Sequence, residues 1–257
     1  SSCGIELRGL DVEILGIDIG GTGIKGAIVD CRTGKITSNR HRVATPQPAT
    51  PQSVARVVEE LRAHFDWHGP IGAGFPAAIQ HGVAKTASNV DDAFIGLNLE
   101  KLFSDATQCP VFVANDADVA GLAECQFGGA FEQSGLTIVV TVGTGLGTAL
   151  VNNGHLLPNT ELGHIWLANG QEAEAYAADS TRKKLKLDWE TWADRFNTYL
   201  TTLEGLFFPD AFIIGGGASK HLESFKDHLT LSTPIRAATL LNKAGIVGAA
   251  TYAQSRM

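Results

Sequence analysis

Two glycine-rich turns stand 122 residues apart in this chain, and each follows an apolar stretch. The first is Gly20, Gly21, Thr22 and Gly23, and the second is Gly143, Thr144, Gly145 and Gly147. GTGIKGAIVD (21–30) and GTGLGTALVN (143–152) are identical at five of ten positions, which suggests two copies of one strand–turn–strand unit. Backbone bare of side chains lets N–H groups come close to phosphate oxygens. Thr22 and Thr144 add hydroxyls, and Lys25 adds a positive charge. The plain alternative is a pair of tight hairpins. Gly21, Gly23 and Gly26 also fit G-x-G-x-x-G, but a dinucleotide fingerprint must open a helix, and here a second strand follows.

Asp18 lies inside the apolar stretch ahead of the first turn. A carboxylate there is costly unless paired. It suits either a Mg²⁺ held through water against substrate phosphates or a structural ion pair. Asn115 and Asp116 stand where a buried strand ends, the usual place for ligands in open α/β sheets. Phosphoryl transfer to an alcohol needs a carboxylate to accept the hydroxyl proton. Asp116 suits that role, with Asn115 bonding neighbouring hydroxyls and Asp118 capping the next helix. Glu161 and His164, after a Pro158-Asn159 turn, can converge on one polyhydroxylated ligand. Gly215, Gly216 and Gly217, between a strand and an expected helix, fit either a nucleotide's base and ribose or a tight turn.

These groups need strands that end at the turns. Strands are expected over 12–19, 24–29, 36–44, 71–75, 111–114, 136–142 and 211–214, alternating with helices over about 54–65, 117–127, 188–207 and 244–252. Ser53 is the expected cap of the first helix and Asp188 opens the long one. The fold class is therefore α/β. Residues 1–114 would form a smaller N-terminal lobe with the first turn, and 115–257 a larger lobe with the second. The last helix, about 244–257, would pack back on the first lobe.

The composition is globular, with 44% hydrophobic and 18% charged residues. A net charge of −7 argues against nucleic acid or a lipid surface as partner, and no apolar run is long enough to span a membrane. Cys3, Cys31, Cys109 and Cys125 show no CxxC spacing, which points to a reduced, cytoplasmic protein. Arg182, Lys183, Lys184 and Lys186 form the densest basic run. It reads either as a solvated face or as a track for a polyanion whose contacts salt would weaken.

IDIGGTGIKGAIVD, VANDADVAGLAE, GTGLGTAL and TELGH, in this order, resemble the ROK sugar kinases, which have an actin-like ATPase (ribonuclease H-like) fold of two lobes with a cleft between them. LLPNTELGHI, the Trp-rich helix, FFPDAFIIGGGASK and LLNKAGIVGAA look most like the polyphosphate glucokinase branch. The resemblance implies transfer of a phosphoryl group from polyphosphate or ATP, with Mg²⁺, to the 6-hydroxyl of glucose. It makes Asp116 the catalytic base, Asn89, Asn115, Glu161 and His164 glucose contacts, the two turns phosphate sites, and Gly215 to Gly217 the border of the nucleotide site. It also implies a homodimer. Many ROK proteins carry a Cys-rich zinc motif after the Gly-His pair; no Cys follows His164, so no zinc is expected. The alternatives are an ATP-dependent kinase of mannose or an amino sugar, and a non-catalytic sugar-binding regulator of the same fold.

Overall fold

The computed structural model describes residues 13–130 and 134–257. Cys3 and Val12, the expected start of the first strand, lie outside the described residues. The first half runs β1 (Glu13–Ile19), β2 (Gly23–Asp30), β3 (Lys35–Ile36), β4 (His41–Ala44), α1 (Pro51–His64), β5 (Ile71–Phe75), β6 (Ile79–Gln80), β7 (Val83–Ala84), α2 (Leu99–Thr107), β8 (Val111–Asn115) and α3 (Asp116–Phe127). The second runs β9 (Leu136–Val142), β10 (Leu146–Asn152), β11 (His155–Leu157), α4 (Ala173–Ala177), α5 (Asp179–Lys184), α6 (Trp189–Phe207), β12 (Ala211–Gly216), β13 (Ile235–Ala237) and α7 (Ala244–Ser255).

The two halves build sheets of the same plan. Strand order is β3-β2-β1-β5-β8 in one, with β4 also on β2, and β11-β10-β9-β12-β13 in the other. In each, an antiparallel hairpin carries the glycine turn, and the first hairpin strand pairs in parallel with the next strand along. The copies differ by one residue. Ile19 pairs with Ile24 across four turn residues, whereas Val142 pairs with Leu146 across three. Parallel strands covered on both faces read as continuous apolar runs, and β5 is buried at all five positions.

α7 crosses from the second half onto the first sheet, packing on β1 and β5 and along α3. The approach is close because side chains are missing where backbones meet. A Cβ on Gly16 would strike the Ile246 carbonyl, and one on Gly72 the Ala249 carbonyl. Separate apolar cores fill the two halves. One gathers Phe75, Phe94 and Phe103 beside β1 and β5, and the other gathers Trp192, Phe196, Tyr199 and Phe225 beside β9 and β12. Among the described residues no helix is long and apolar enough to cross a membrane.

Three local expectations are corrected. Thr50, not Ser53, caps α1: its side chain accepts from Ser53 N, and Pro51 opens the helix where a missing N–H costs nothing. The expected strand 36–44 is two short strands, because β2 pairs with β3 and β4 separately. Asp118 caps nothing, since Asn115 Oδ1 already accepts from Ala117 N and Asp118 N at 2.8 and 3.1 Å. The helix expected after Gly216 is present as a 3₁₀ helix, Gly217–Ser224.

Candidate active site

A cleft of about 700 Å³ opens between the two sheets at the strand ends. It brings together Asp18, Asn89, Asn115, Asp116, Glu161 and His164, with Thr144, Gly145 and Gly147 of the second turn and Gly215 and Gly216 of β12. Gly20, Gly21, Thr22, Gly23, Lys25 and Gly217 are not among its lining residues.

Asp116 owes its position to the strand–helix junction. β8 ends at Asn115, whose side chain caps α3, so Asp116 begins the helix at the cleft. Its Oδ1 accepts from Ala117 N at 2.8 Å. Burial, then the negative charges of Asp18 and Glu161, push its carboxyl up to about 7, while the Ala117 bond opposes the shift. Such a group is about half ionised at neutral pH, and its ionised form is basic enough to take a proton. Asn115 Nδ2 donates to Ala77 O at 3.1 Å and to Glu161 Oε1 at 3.4 Å, which sets Glu161 beside the junction.

A buried clamp holds the Glu161 segment. Asp118 is 1% exposed, and its Oδ2 accepts from Asn159 N at 2.7 Å. Burial pushes its carboxyl up to about 7. Asn159, in the left-handed region at φ 61, accepts from Ile79 N and donates to Ile79 O at 2.7 and 2.8 Å. The turn that delivers Glu161 is thereby tied to both α3 and β6. A further carboxylate, Glu174, lines the cleft, and Glu172 reaches it only through His164. Glu174 Oε2 accepts from Leu146 N at 2.8 Å against the second turn, and Glu172 Oε1 lies 2.6 Å from His164 Nδ1. Sequence reasoning missed Asn159, Glu172 and Glu174, since each is placed by contacts between elements and not by a motif.

The remaining expected residues divide. Asp18 Oδ2 accepts from Lys25 Nζ at 3.2 Å, so Lys25 serves a neighbouring carboxylate. The first turn is braced from outside: Arg42 Nη2 donates to Thr22 O at 2.7 Å, and Gly21 packs on Asn89. The second turn is tied to the basic helix, with Ser180 Oγ donating to Thr144 O at 2.6 Å and Ser180 N to Gly143 O at 3.1 Å. Within the basic run, Arg182 is engaged: it bonds Asp179 at 2.7 Å and lies 3.9 Å over the Trp189 ring. Lys183 pairs with Asp179 but stays 68% exposed, and Lys184 and Lys186 are exposed.

The cleft lining holds five carboxylates, Asp18, Asp116, Glu124, Glu161 and Glu174, and neither Lys nor Arg. Donors to an anion there are backbone N–H groups, hydroxyls such as that of Thr144, the Asn89 amide and His164. Mg²⁺ normally takes one or two carboxylates plus substrate oxygens and waters. Asp18, with Oδ2 on Lys25 and Oδ1 above Gly245 at the start of α7, fits a ligand through water. Among the described residues no three His, Cys, Asp or Glu side chains are grouped to hold a metal by themselves.

A family model described as the ROK family matches residues 14–178. The chain is 45% identical over 236 residues to a polyphosphate glucokinase of Mycobacterium leprae, covering 91% of this chain and 72% of that one. It is 44% identical over 236 residues to a polyphosphate glucokinase of Mycobacterium tuberculosis, covering 91% and 89%. Among solved structures, the inorganic polyphosphate/ATP-glucomannokinase of Arthrobacter sp. strain KM superposes with a TM-score of 0.88 at 44% identity, covering 96% of this chain and all of that one (100%). A ROK family glucokinase of Streptomyces griseus, in complex with glucose and AMPPNP, superposes at 0.75 with 25% identity, covering 95% and 100%.

Proposed function

The chain belongs to the ROK family, and from that premise we propose that it is a glucokinase that phosphorylates the 6-hydroxyl of glucose from polyphosphate or ATP. The observation that carries the chemistry is Asp116, a carboxylate pushed up to about 7 at the strand–helix junction of the cleft. It takes the proton of the attacking hydroxyl. Asn89, Asn115, Glu161 and His164 hold the other sugar hydroxyls. Thr144, Gly145 and Gly147 present backbone and hydroxyl donors to the transferring phosphate, and the first turn, Gly20 to Gly23, closes on it from the other sheet. Gly215 to Gly217 border the nucleotide of ATP. Mg²⁺, held through water by Asp18, would neutralise charge on the donor phosphates. Residues 1–114 and 115–257 act as the two lobes of the cleft, and a cytoplasmic homodimer completes the proposal.

The direct test sets glucose, mannose and N-acetylglucosamine against ATP, GTP and polyphosphate. Glucose 6-phosphate is expected with polyphosphate and with ATP. A preference for an amino sugar would select the alternative kinase, and absence of turnover with every donor would select the sugar-binding regulator. Mannose is worth including because the Arthrobacter relative is a glucomannokinase.

Glu161→Ala and His164→Ala should each raise the glucose KM about five- to a hundredfold, the effect of leaving a sugar hydroxyl without its partner at ~1–3 kcal/mol. Steady-state kinetics with the fold checked by circular dichroism reads this. An unchanged KM in both variants would return the pair to a structural role.

Polyphosphate adds a second expectation. The basic helix α5 begins at the second turn, so phosphates beyond the transferred one run toward Lys183, Lys184 and Lys186. Arg182 is left out because Asp179 and Trp189 already occupy it. Replacing the three lysines with Ala should lower kcat/KM for long-chain polyphosphate at least tenfold while that for ATP stays within about threefold, and the polyphosphate value should lose much of its salt dependence. Equal loss with both donors, or none with either, would remove the track.

A further inference from the structure

Glu172 stands immediately before α4 with the extended backbone of a capping residue, φ −68 and ψ 136, yet its side chain makes no capping bond. It turns instead to His164, with Oε1 2.6 Å from Nδ1. The backbone around it is fixed for this purpose. Ala173 N donates to Ile165 O at 2.9 Å, Leu167 N donates to Gln171 O at 2.8 Å, and Trp166 bridges to Glu172. These bonds fold 165–173 back on itself and bring the carboxylate beside the ring.

The cleft explains why such a pairing matters. Each sugar hydroxyl has one proton to give and lone pairs that want donors. Asp116, Glu161 and Glu174 can only accept while ionised, and the Asn115 amide N–H groups are already directed at Ala77 O and Glu161 Oε1. Beyond the Asn89 amide and the Thr86 and Ser88 hydroxyls, side-chain donors are therefore scarce where the sugar sits. We infer that Glu172 is a positioning residue for sugar binding: it accepts from His164 Nδ1–H and so orients the ring for Nε2–H to donate to the sugar. The inference rests on the reading of His164 as a sugar contact. The titratable groups around the ring are all acidic, Glu161 ahead of it and Glu172 and Glu174 at α4. The Glu172 hydrogen bond, with the charges of all three, raises the His164 pKa against the opposing effect of burial. A raised value means the donor is present below that pKa and is lost as pH rises through it.

The experiment uses the full chain without phosphoryl donor and compares wild type, Glu172→Gln and His164→Ala. NMR titration of the His164 ring, assigned by its absence in His164→Ala, should give a midpoint above the ordinary ~6.5 in wild type and at or below it in Glu172→Gln. Calorimetric glucose binding should show Glu172→Gln within about twofold of wild type at pH 5.5 and about tenfold weaker at pH 8, the loss expected of one charge-assisted bond. Taking the ratio to wild type at each pH cancels the titration of Asp116. An unmoved midpoint, or an affinity ratio that does not change with pH, overturns the positioning role. If His164→Ala itself leaves glucose affinity unchanged, the reading of His164 as a sugar contact falls instead.

Discussion

Asp116→Asn should lower kcat for glucose phosphorylation by at least a hundredfold while glucose still binds. Asn preserves the shape at the start of α3 but cannot accept the hydroxyl proton, and general-base contributions run about 10²–10⁴-fold. The wild-type pH profile carries the same information. Asp116 must be ionised to act, and its carboxyl is pushed up to about 7. The kcat/KM for glucose should therefore fall as pH drops through that region. Because Asp18 and Glu161 help raise it, Glu161→Gln should move the acid limb to lower pH in whatever activity remains. Kinetics with saturating donor, with calorimetry for glucose, checks both. Retention of more than about a tenth of wild-type kcat in Asp116→Asn would remove the assignment, since that lies below the range expected of a general base.

Gly72→Ala should cost more stability than its single methyl suggests. The new Cβ would run into the Ala249 carbonyl where α7 lies on β5. Neither backbone can yield without parting the helix from the sheet, so the cost lies at or above the ~1–3 kcal/mol of ordinary overpacking. At ~2–4 °C per kcal/mol for a chain of this size, Tm should fall by roughly 2–12 °C or more. Gly205→Ala is the control. Gly205 lies in α6 with nothing within 4 Å of an added Cβ. There the better helix propensity of Ala, about 1 kcal/mol over Gly, should raise Tm slightly. Scanning calorimetry of the three proteins decides. Equal Tm values for Gly72→Ala and wild type would mean that α7 does not rest on β5 as described.

Residue order and local chemistry determined much of this protein without a fold. Apolar runs ending in Gly-Thr-Gly set two hairpins, and the Asn-Asp pair after 111–114 set a strand–helix junction, because period and turn chemistry act over a few residues. The helix opened by Asp188 followed in the same way, since its cap and its apolar stripe are both local. Other features needed the tertiary structure. Capping was misread at Ser53 and Asp118 because several residues there can cap, and only the entry path of the chain selects Thr50 and Asn115. The partner of Asp118 is Asn159, 41 residues away, and the other end of that clamp is Ile79, another 80 residues back along the chain from Asn159. No periodicity reports a bond between segments so distant. Lys25 sits in a run that suggests phosphate, yet the β1–β2 register places it opposite Asp18, where it pairs with the carboxylate. Glu172 and Glu174, which contact His164 and the second turn, carry no motif at all. Their effect on His164 and on the second turn is electrostatic and depends on distance through space, which folding sets and sequence spacing does not.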